Sequence, residues 1–164
     1  MPEIDTIKNE EFIELDTLEA IKRTSGKIMS VDFGDTRTGL AICDGSRFLA
    51  SGIGYVSPGG LDKTVEAVAE AAKEQRVSAI IVGLPVNMDG SEGGRAQRCR
   101  KFARMLKEAS GVAVAMFDER MTTMTASRYL NETNTRGKKR KGVIDTLSAQ
   151  IILQNCLDRL KYMN

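Results

Sequence analysis

The sequence predicts an α/β fold in which a mixed five-stranded sheet carries helices on both faces. Its 164 residues fit one domain with a substantial hydrophobic core. Residues 27–56 hold three short strand-like segments joined by tight turns, which is typical of an antiparallel meander. From residue 61 onward, helical and strand spacings alternate, and this order indicates parallel strands connected by helices.

The first strand of the meander is predicted at residues 27–33. Ser30 and Asp32 fall on one of its faces and Val31 and Phe33 on the other, because successive side chains of a strand point to opposite sides. A second strand, TGLAIC, follows the turn GDTR, and a third runs from about Arg47 to Val56.

The second half of the sheet is predicted from alternating helices and strands. Apolar residues recur at helical spacing between Leu61 and Lys73, and the continuously apolar run VSAIIVGL after them is typical of a buried parallel strand. The remaining elements are a helix from about Arg95 to Ser110, the strand VAVAMF, a helix beginning near Thr122, and, after the basic loop TNTRGKKRKG, a helix from about Val143 to Leu160.

The N-terminal segment differs in charge from the rest of the chain. Residues 1–24 hold seven acidic and three basic side chains, so the formal net charge of +2 hides a moderately basic body, which favours an anionic partner. We therefore predict an acidic extension at residues 1–25, with a short helix near Thr17 to Arg23, and a domain at residues 26–164. No apolar run has membrane-spanning length and no signal peptide is visible, so we expect a cytoplasmic protein without a membrane partner.

The composition excludes several kinds of catalytic site. There is no histidine, which rules out a Ser-His-Asp triad, a Cys-His pair and a histidine zinc site within this chain. The three cysteines, Cys43, Cys99 and Cys156, are far apart and lack CxxC spacing, so a disulfide framework or thiolate metal site is not expected.

Carboxylates are therefore the main candidates for catalysis. Asp32 ends the first strand before a glycine-containing turn, and Asp145 begins an otherwise small or apolar stripe near the start of the last helix. Asp118 and Glu119 end the strand VAVAMF, and because neighbours point to opposite faces, we expect only one of them to enter a site. Each aspartate also has a structural alternative to catalysis. Asp32 can be a turn aspartate that hydrogen-bonds the backbone of its own loop. Asp145 can simply be stabilised by the positive end of the helix.

Such a carboxylate set suits a hard, oxygen-ligated cation, above all Mg²⁺ or Mn²⁺. Two such ions about 3.5–4 Å apart can activate a water and stabilise the leaving oxygen in phosphodiester hydrolysis. The sequence thus predicts catalytic and metal-binding roles for Asp32, Asp145 and either Asp118 or Glu119.

Basic residues lie near these carboxylates in the sequence. The run RGKKRK can grip a phosphate backbone or simply be a solvated loop. The loop PVNMDGSEGG can likewise bind a phosphate at a helix start or be an ordinary connection with Ser91 as the helix cap. Aromatic residues make up only 5% of the chain, so base stacking is not expected to dominate recognition. The candidate nucleic-acid-binding residues are Arg37, Arg95, Arg120, Arg136, Lys138, Lys139, Arg140 and Lys141.

Four motifs in order, VDFGDTRTGLAICD, IVGLPVNMDGSEG, DERMTT and KKRKGVIDTLSAQIILQNCLD, resemble the YqgF (RuvX) family over about Lys27 to Leu160. The resemblance implies an RNase H-like fold and a Mg²⁺-dependent nuclease similar to Holliday-junction resolvases, with a proposed role in maturing the leading end of pre-16S ribosomal RNA. It implies an rRNA precursor or branched DNA as the partner. Ribosome-assembly factors are possible further partners, and both a monomer and a homodimer are compatible with the resemblance. It points to Asp32, Asp145 and the Asp118-Glu119 pair.

Two other functions compete with the nuclease. The segment DFGDTRTGLAICD is also similar to the first phosphate motif of the actin, Hsp70 and sugar-kinase ATPases, but those proteins clamp the nucleotide between two such domains and this chain has room for one. The second competing function is that of a protein that binds nucleic acid or takes part in ribosome assembly without cleaving nucleic acid. Hydrolysis of structured RNA and of four-way DNA junctions distinguishes it from the enzyme.

Overall fold

The computed structural model of the protein describes residues 13–121 and 137–163, and it describes no side chains for Met121 and residues 137–145. Residues 1–12 of the predicted extension, the predicted helix near Thr122 and the basic residue Arg136 lie outside the described residues.

The predicted five-stranded mixed sheet is confirmed, with strand order β3-β2-β1-β4-β5. Strands β1, β2 and β3 form the antiparallel meander, whereas β4 pairs in parallel with both β1 and β5. Because β1, β4 and β5 run in parallel, their carboxyl ends meet at one edge of the sheet. The strands are β1 (Ile28–Asp32), β2 (Thr38–Cys43), β3 (Ala50–Val56), β4 (Ala79–Leu84) and β5 (Ala113–Asp118).

Helices cover both faces of this sheet, as predicted. Helix α4 packs on one face in a core that includes Ile81, Phe117 and Leu153, and helices α2 and α3 cover the other face. On the second face the rings of Phe33 and Phe102 stack with centroids 4.3 Å apart. The described helices are α1 (Leu18–Arg23), α2 (Leu61–Gln75), α3 (Gly94–Ser110), a 3₁₀ turn (Glu119–Met121) and α4 (Gly137–Lys161).

Helix α4 begins earlier than the sequence predicted. It starts at Gly137, six residues before the expected Val143, so Lys138–Lys141 lie in its first turns and the prediction of a basic loop there was wrong. Lysine and arginine are good helix formers, and an internal glycine such as Gly142 costs about 1 kcal/mol without ending a helix that packing stabilises elsewhere.

Strand β3 begins later than predicted, at Ala50 and not at Arg47. The Asp44 carboxylate accepts hydrogen bonds from the Ser46 hydroxyl and the Phe48 backbone N–H, which extends the turn. Arg47 has a left-handed backbone conformation, with φ of 59°. Arg47 therefore belongs to the turn and not to strand β3.

The guanidinium of Arg47 joins this turn to the segment before β1. It donates to the carbonyls of Gly26 (2.7 Å) and Ile21 (3.2 Å) and to the Thr24 hydroxyl (2.7 Å). We expect Arg47→Ala to lower the free energy of unfolding by about 2–3 kcal/mol, because it leaves partly buried acceptors unpaired. Urea denaturation measures the change, with the exposed Arg23→Ala as the control. Equal stability of the two variants would contradict this role.

Part of the predicted acidic extension packs onto the domain. Ile21 in α1 is fully buried in the core under α4. Asp16 forms an isolated parallel bridge with Ala115, and its carboxylate accepts from the Val114 N–H at 2.9 Å and pairs with Lys107 at 2.9 Å. Among the helices that the structure describes, none has the length and apolar character needed to cross a membrane.

Candidate functional site

Asp32 is the last residue of β1, at the edge where the parallel strands end. Two residues earlier, the buried Ser30 donates its hydroxyl to the Ala149 carbonyl of α4 at 2.6 Å. Because side chains alternate along a strand, Asp32 projects from the same face of the sheet as Ser30, the face that α4 covers. The residue is half-buried.

Gly83 on the neighbouring strand makes room for a second carboxylate. Val31 pairs with Val82, so one residue further along both strands Asp32 lies beside Gly83. A Cβ atom at Gly83 would lie 2.8 Å from Glu119 Oε1 and 2.8 Å from Ile152 Cδ1 of α4. The Glu119 carboxylate therefore extends across β4 on the α4 face, about one strand spacing, or about 4.8 Å, from the position of Asp32.

Glu119 is a half-buried acid whose pKa is raised. Burial raises its pKa, the negative charge of Asp118 raises it further, and the positive charge of Arg95 opposes both. Burial likewise raises the pKa of Cys99 to about 11, with Arg95 opposing and both Glu119 and Asp32 adding to the increase. The two carboxylates thus lie within electrostatic reach of the first turns of α3.

Asp118 has a different environment. Its carboxylate accepts from Arg120 Nε and Nη2, the latter at 2.8 Å, and from the Arg120 backbone N–H at 2.9 Å. The hydrogen bonds from this guanidinium lower the pKa of Asp118. Within β5, Phe117 faces α4, so its neighbour Asp118 faces the α3 side. The structure therefore brings Glu119, and not Asp118, to the face of Asp32.

Asp145 is brought toward the same region by the backbone of α4. It precedes Ala149 by four residues, about one helical turn, and Ala149 is the residue that Ser30 contacts. Its side chain is outside the described part of the structure. Asp145 lies eight residues after Gly137, so the prediction that it sits near the helix N-terminus was wrong, and the dipole effect at the first turn does not reach it.

The candidate basic residues are distributed around this edge. Arg95 lies exposed in the first turn of α3. Arg37 lies in the turn after β1, with its guanidinium 5.8 Å from the ring centroid of Tyr55. Arg120 is paired with Asp118. Of the basic run, the backbone of Lys138, Lys139, Arg140 and Lys141 lies in the first turns of α4.

The loop between β4 and α3 is ordered by its own side chains. The Ser91 hydroxyl donates to Asp89 Oδ1 at 2.6 Å and accepts from Asn87 Nδ2 at 3.0 Å. Gly93 is the N-cap residue of α3, with no side-chain cap among the described residues, so the prediction of Ser91 as cap was wrong. The Ser91 hydroxyl instead makes its hydrogen bonds within the loop.

Two features were not predicted from the sequence: the space that Gly83 leaves for Glu119, and the ion pair between Asp35 and Arg98 (2.8 Å). The signal for Gly83 was a lone glycine in a buried strand, which often marks a close approach of another group. Next to this edge lies a cavity of about 260 Å³, lined by Phe33, Gly34, Asp35, Gly94, Arg95, Arg98 and Cys99.

The donor chemistry of the site fits a hard divalent cation. Asp32, at the end of β1, and Glu119, in the turn after β5, supply carboxylate oxygens on one face of the sheet, and carboxylate oxygens are the ligands that Mg²⁺ and Mn²⁺ prefer. Within the described side chains no group of three acidic or thiol ligands is assembled, and Asp145 lies outside that set. Gly83 fits as well, because any side chain there would occupy the position of the Glu119 carboxylate.

Comparison with known proteins gives consistent results. The RuvX family model, described as a Holliday junction resolvase, matches residues 26–159. A Myxococcus xanthus protein is 42% identical over 132 residues, which cover 80% of this chain and 87% of the relative. A Ruminiclostridium cellulolyticum protein is 37% identical over 135 residues, which cover 82% and 95%. Both are named "Putative pre-16S rRNA nuclease".

Among solved structures, T. thermophilus RuvC in complex with a Holliday junction substrate is similar, with a TM-score of 0.52 and 14% identity. The match covers 82% of this chain and 96% of RuvC. At this identity the likeness concerns the fold, and it confirms the RNase H-like architecture.

Proposed function

This chain belongs to the RuvX family, and on that premise we propose that it is a metal-dependent nuclease that hydrolyses phosphodiester bonds in structured nucleic acid. Its relatives are named for pre-16S rRNA, so the 5′ end of that precursor is the proposed substrate. The observation that carries the proposal is the position of Glu119 over Gly83, beside Asp32.

In the proposed site, Asp32 at the end of β1 and Glu119 after β5, whose carboxylate reaches over the intervening β4, would hold the cation, and Asp145 of α4 would complete the set. Mg²⁺ or Mn²⁺, when bound, supplies Lewis-acid stabilisation of phosphoryl oxygens and makes a water more acidic. The partial burial of Glu119 suits this role, since burial disfavours its charged form and a divalent cation would offset that cost.

The basic residues would hold the nucleic acid. Arg95 lies close enough to Glu119 to lower its pKa, and we assign to Arg95 the contact with the phosphate that is cleaved. The first turns of α4 carry Lys138–Lys141 and lead directly into the turn of Asp145, so a phosphate backbone bound there would run toward the carboxylates. We also expect this activity in the cytoplasm.

A Holliday junction resolvase is the second candidate, favoured by the family description. Symmetric double cutting of a junction requires two active sites, and hence a homodimer. An RNA end-processing enzyme has no such requirement. A monomeric mass in solution would therefore contradict the resolvase, whereas a dimeric mass would fit both candidates.

The test is removal and restoration of the metal. We expect cleavage of a pre-16S rRNA leader transcript with Mg²⁺ or Mn²⁺, loss of cleavage with EDTA, and recovery when excess Mg²⁺ is added. A four-way DNA junction is assayed in parallel. Binding of either nucleic acid without cleavage under all metal conditions would favour a non-catalytic binding protein.

A further inference from the structure

Tyr55 lies in the same row of the sheet as Asp32. Asp32 pairs with Gly39 of β2, and Gly39 pairs in turn with Tyr55 of β3. Residues that pair directly across neighbouring strands project from the same face. Two strand spacings separate them, so the Tyr55 backbone lies about 10 Å from that of Asp32.

A bulge in β3 gives Tyr55 this orientation. Ala41 pairs with Gly52 and Leu40 with Gly54, so Ile53 is an extra residue without a direct partner in β2. Gly52 faces α4, because a Cβ atom there would meet the Thr146 side chain. Strict alternation from Gly52 would place Tyr55 on the opposite face. The extra residue reverses this and turns Tyr55 to the face of the carboxylates, as bulges next to active sites do.

Tyr55 is also exposed and held in place. The residue retains 47% of its surface accessible on an edge strand. The guanidinium of Arg37 lies 5.8 Å from its ring centroid, within the range of a cation–π contact. The Ser57 hydroxyl donates to the Thr36 carbonyl at 2.8 Å, which ties the end of β3 to the turn that follows Asp32.

We propose that Tyr55 is a stacking platform for an unpaired base next to the phosphate that is cleaved at the Asp32 site. This rests on the proposed nuclease function and adds a substrate preference to it: the nucleic acid has a single-stranded nucleotide beside the cleaved bond. An exposed aromatic ring stacks on any base, because every base has a π-face. The platform therefore selects unpaired structure and not sequence, and Arg37 beside the ring adds a positive charge for the adjoining phosphate.

Binding in EDTA tests the proposal independently of cleavage. The probes are a short RNA hairpin with an unpaired tail containing 2-aminopurine and the same hairpin with a blunt end. We expect Tyr55→Ala to weaken binding of the tailed hairpin by roughly 5- to 150-fold, the range for loss of one stacked base, and to leave the blunt hairpin unaffected. Tyr55→Phe should retain both the affinity and the quenching of 2-aminopurine fluorescence.

Phe48→Ala is the matched control, because Phe48 is an exposed aromatic residue near the opposite end of β3. Thermal melting of each variant checks the fold. Equal affinities of wild type and a folded Tyr55→Ala for the tailed hairpin, or an equal loss on the blunt hairpin, would overturn the platform. Failure of the nuclease proposal would appear instead as absence of cleavage with Mg²⁺ by the wild type, whatever the binding results.

Discussion

Glu119→Gln and Asp32→Asn are each expected to reduce cleavage more than 100-fold, whereas Asp118→Asn retains activity within a few-fold of wild type. Loss of a residue that only supports a metal ligand typically costs about 10- to 100-fold, so loss of a ligand itself should exceed that range. The amide variants keep the size of each side chain and remove its charge. Initial cleavage rates at saturating Mg²⁺ measure the effect.

Asp118→Asn is an informative control because it changes the same charge at the adjacent position. Asp118 is paired with Arg120 and lies on the opposite side of β5. The pair is partly exposed, so its loss should cost no more than about 1 kcal/mol of stability. If Asp118→Asn were inactive and Glu119→Gln active, the assignment of the site to the α4 face would be wrong.

The choice between these two neighbours could not be made from sequence. The alternation rule correctly placed Asp118 and Glu119 on opposite sides, but both faces of β5 pack against apolar helices, so the pattern does not say which face carries the site. The information lies in β4, where Gly83 leaves space on one face only at the level of Glu119. Gly83 and Glu119 are 36 positions apart, and a contact over that separation leaves no periodic pattern in the sequence.

The sheet itself was predictable because each strand has a local pattern. Alternation in β1 and the continuous apolar run of β4 identified both strands, and the tight turns fixed the meander. The start of α4 was misplaced because a run of basic residues around Gly142 was given the properties of a loop, although lysine and arginine favour helix. The bulge in β3 was missed as well, and the two glycines of SGIGYV were its signal.

Gly83→Ala is expected to reduce cleavage by about 100-fold while every carboxylate remains in place. The added methyl group would lie 2.8 Å from Glu119 Oε1 and from Ile152 Cδ1, far inside ordinary contact distances. Both atoms are at the far ends of flexible side chains, so the fold should survive at a cost of about 1–3 kcal/mol. The Glu119 carboxylate must then move, and a displacement of about 1 Å in a reacting geometry can cost about 100-fold in rate.

Gly45→Ala is the matched substitution, because a Cβ atom at Gly45 meets nothing within 4 Å and its backbone is not in the left-handed region. It should leave both the cleavage rate and the melting temperature near wild type. The weakened Gly83→Ala site should also need more Mg²⁺ for half-maximal rate, since a displaced ligand binds the ion less well. Full activity in a folded Gly83→Ala protein would show that the Glu119 carboxylate does not act from its position over β4, and the pairing of Asp32 with Glu119 would have to be abandoned.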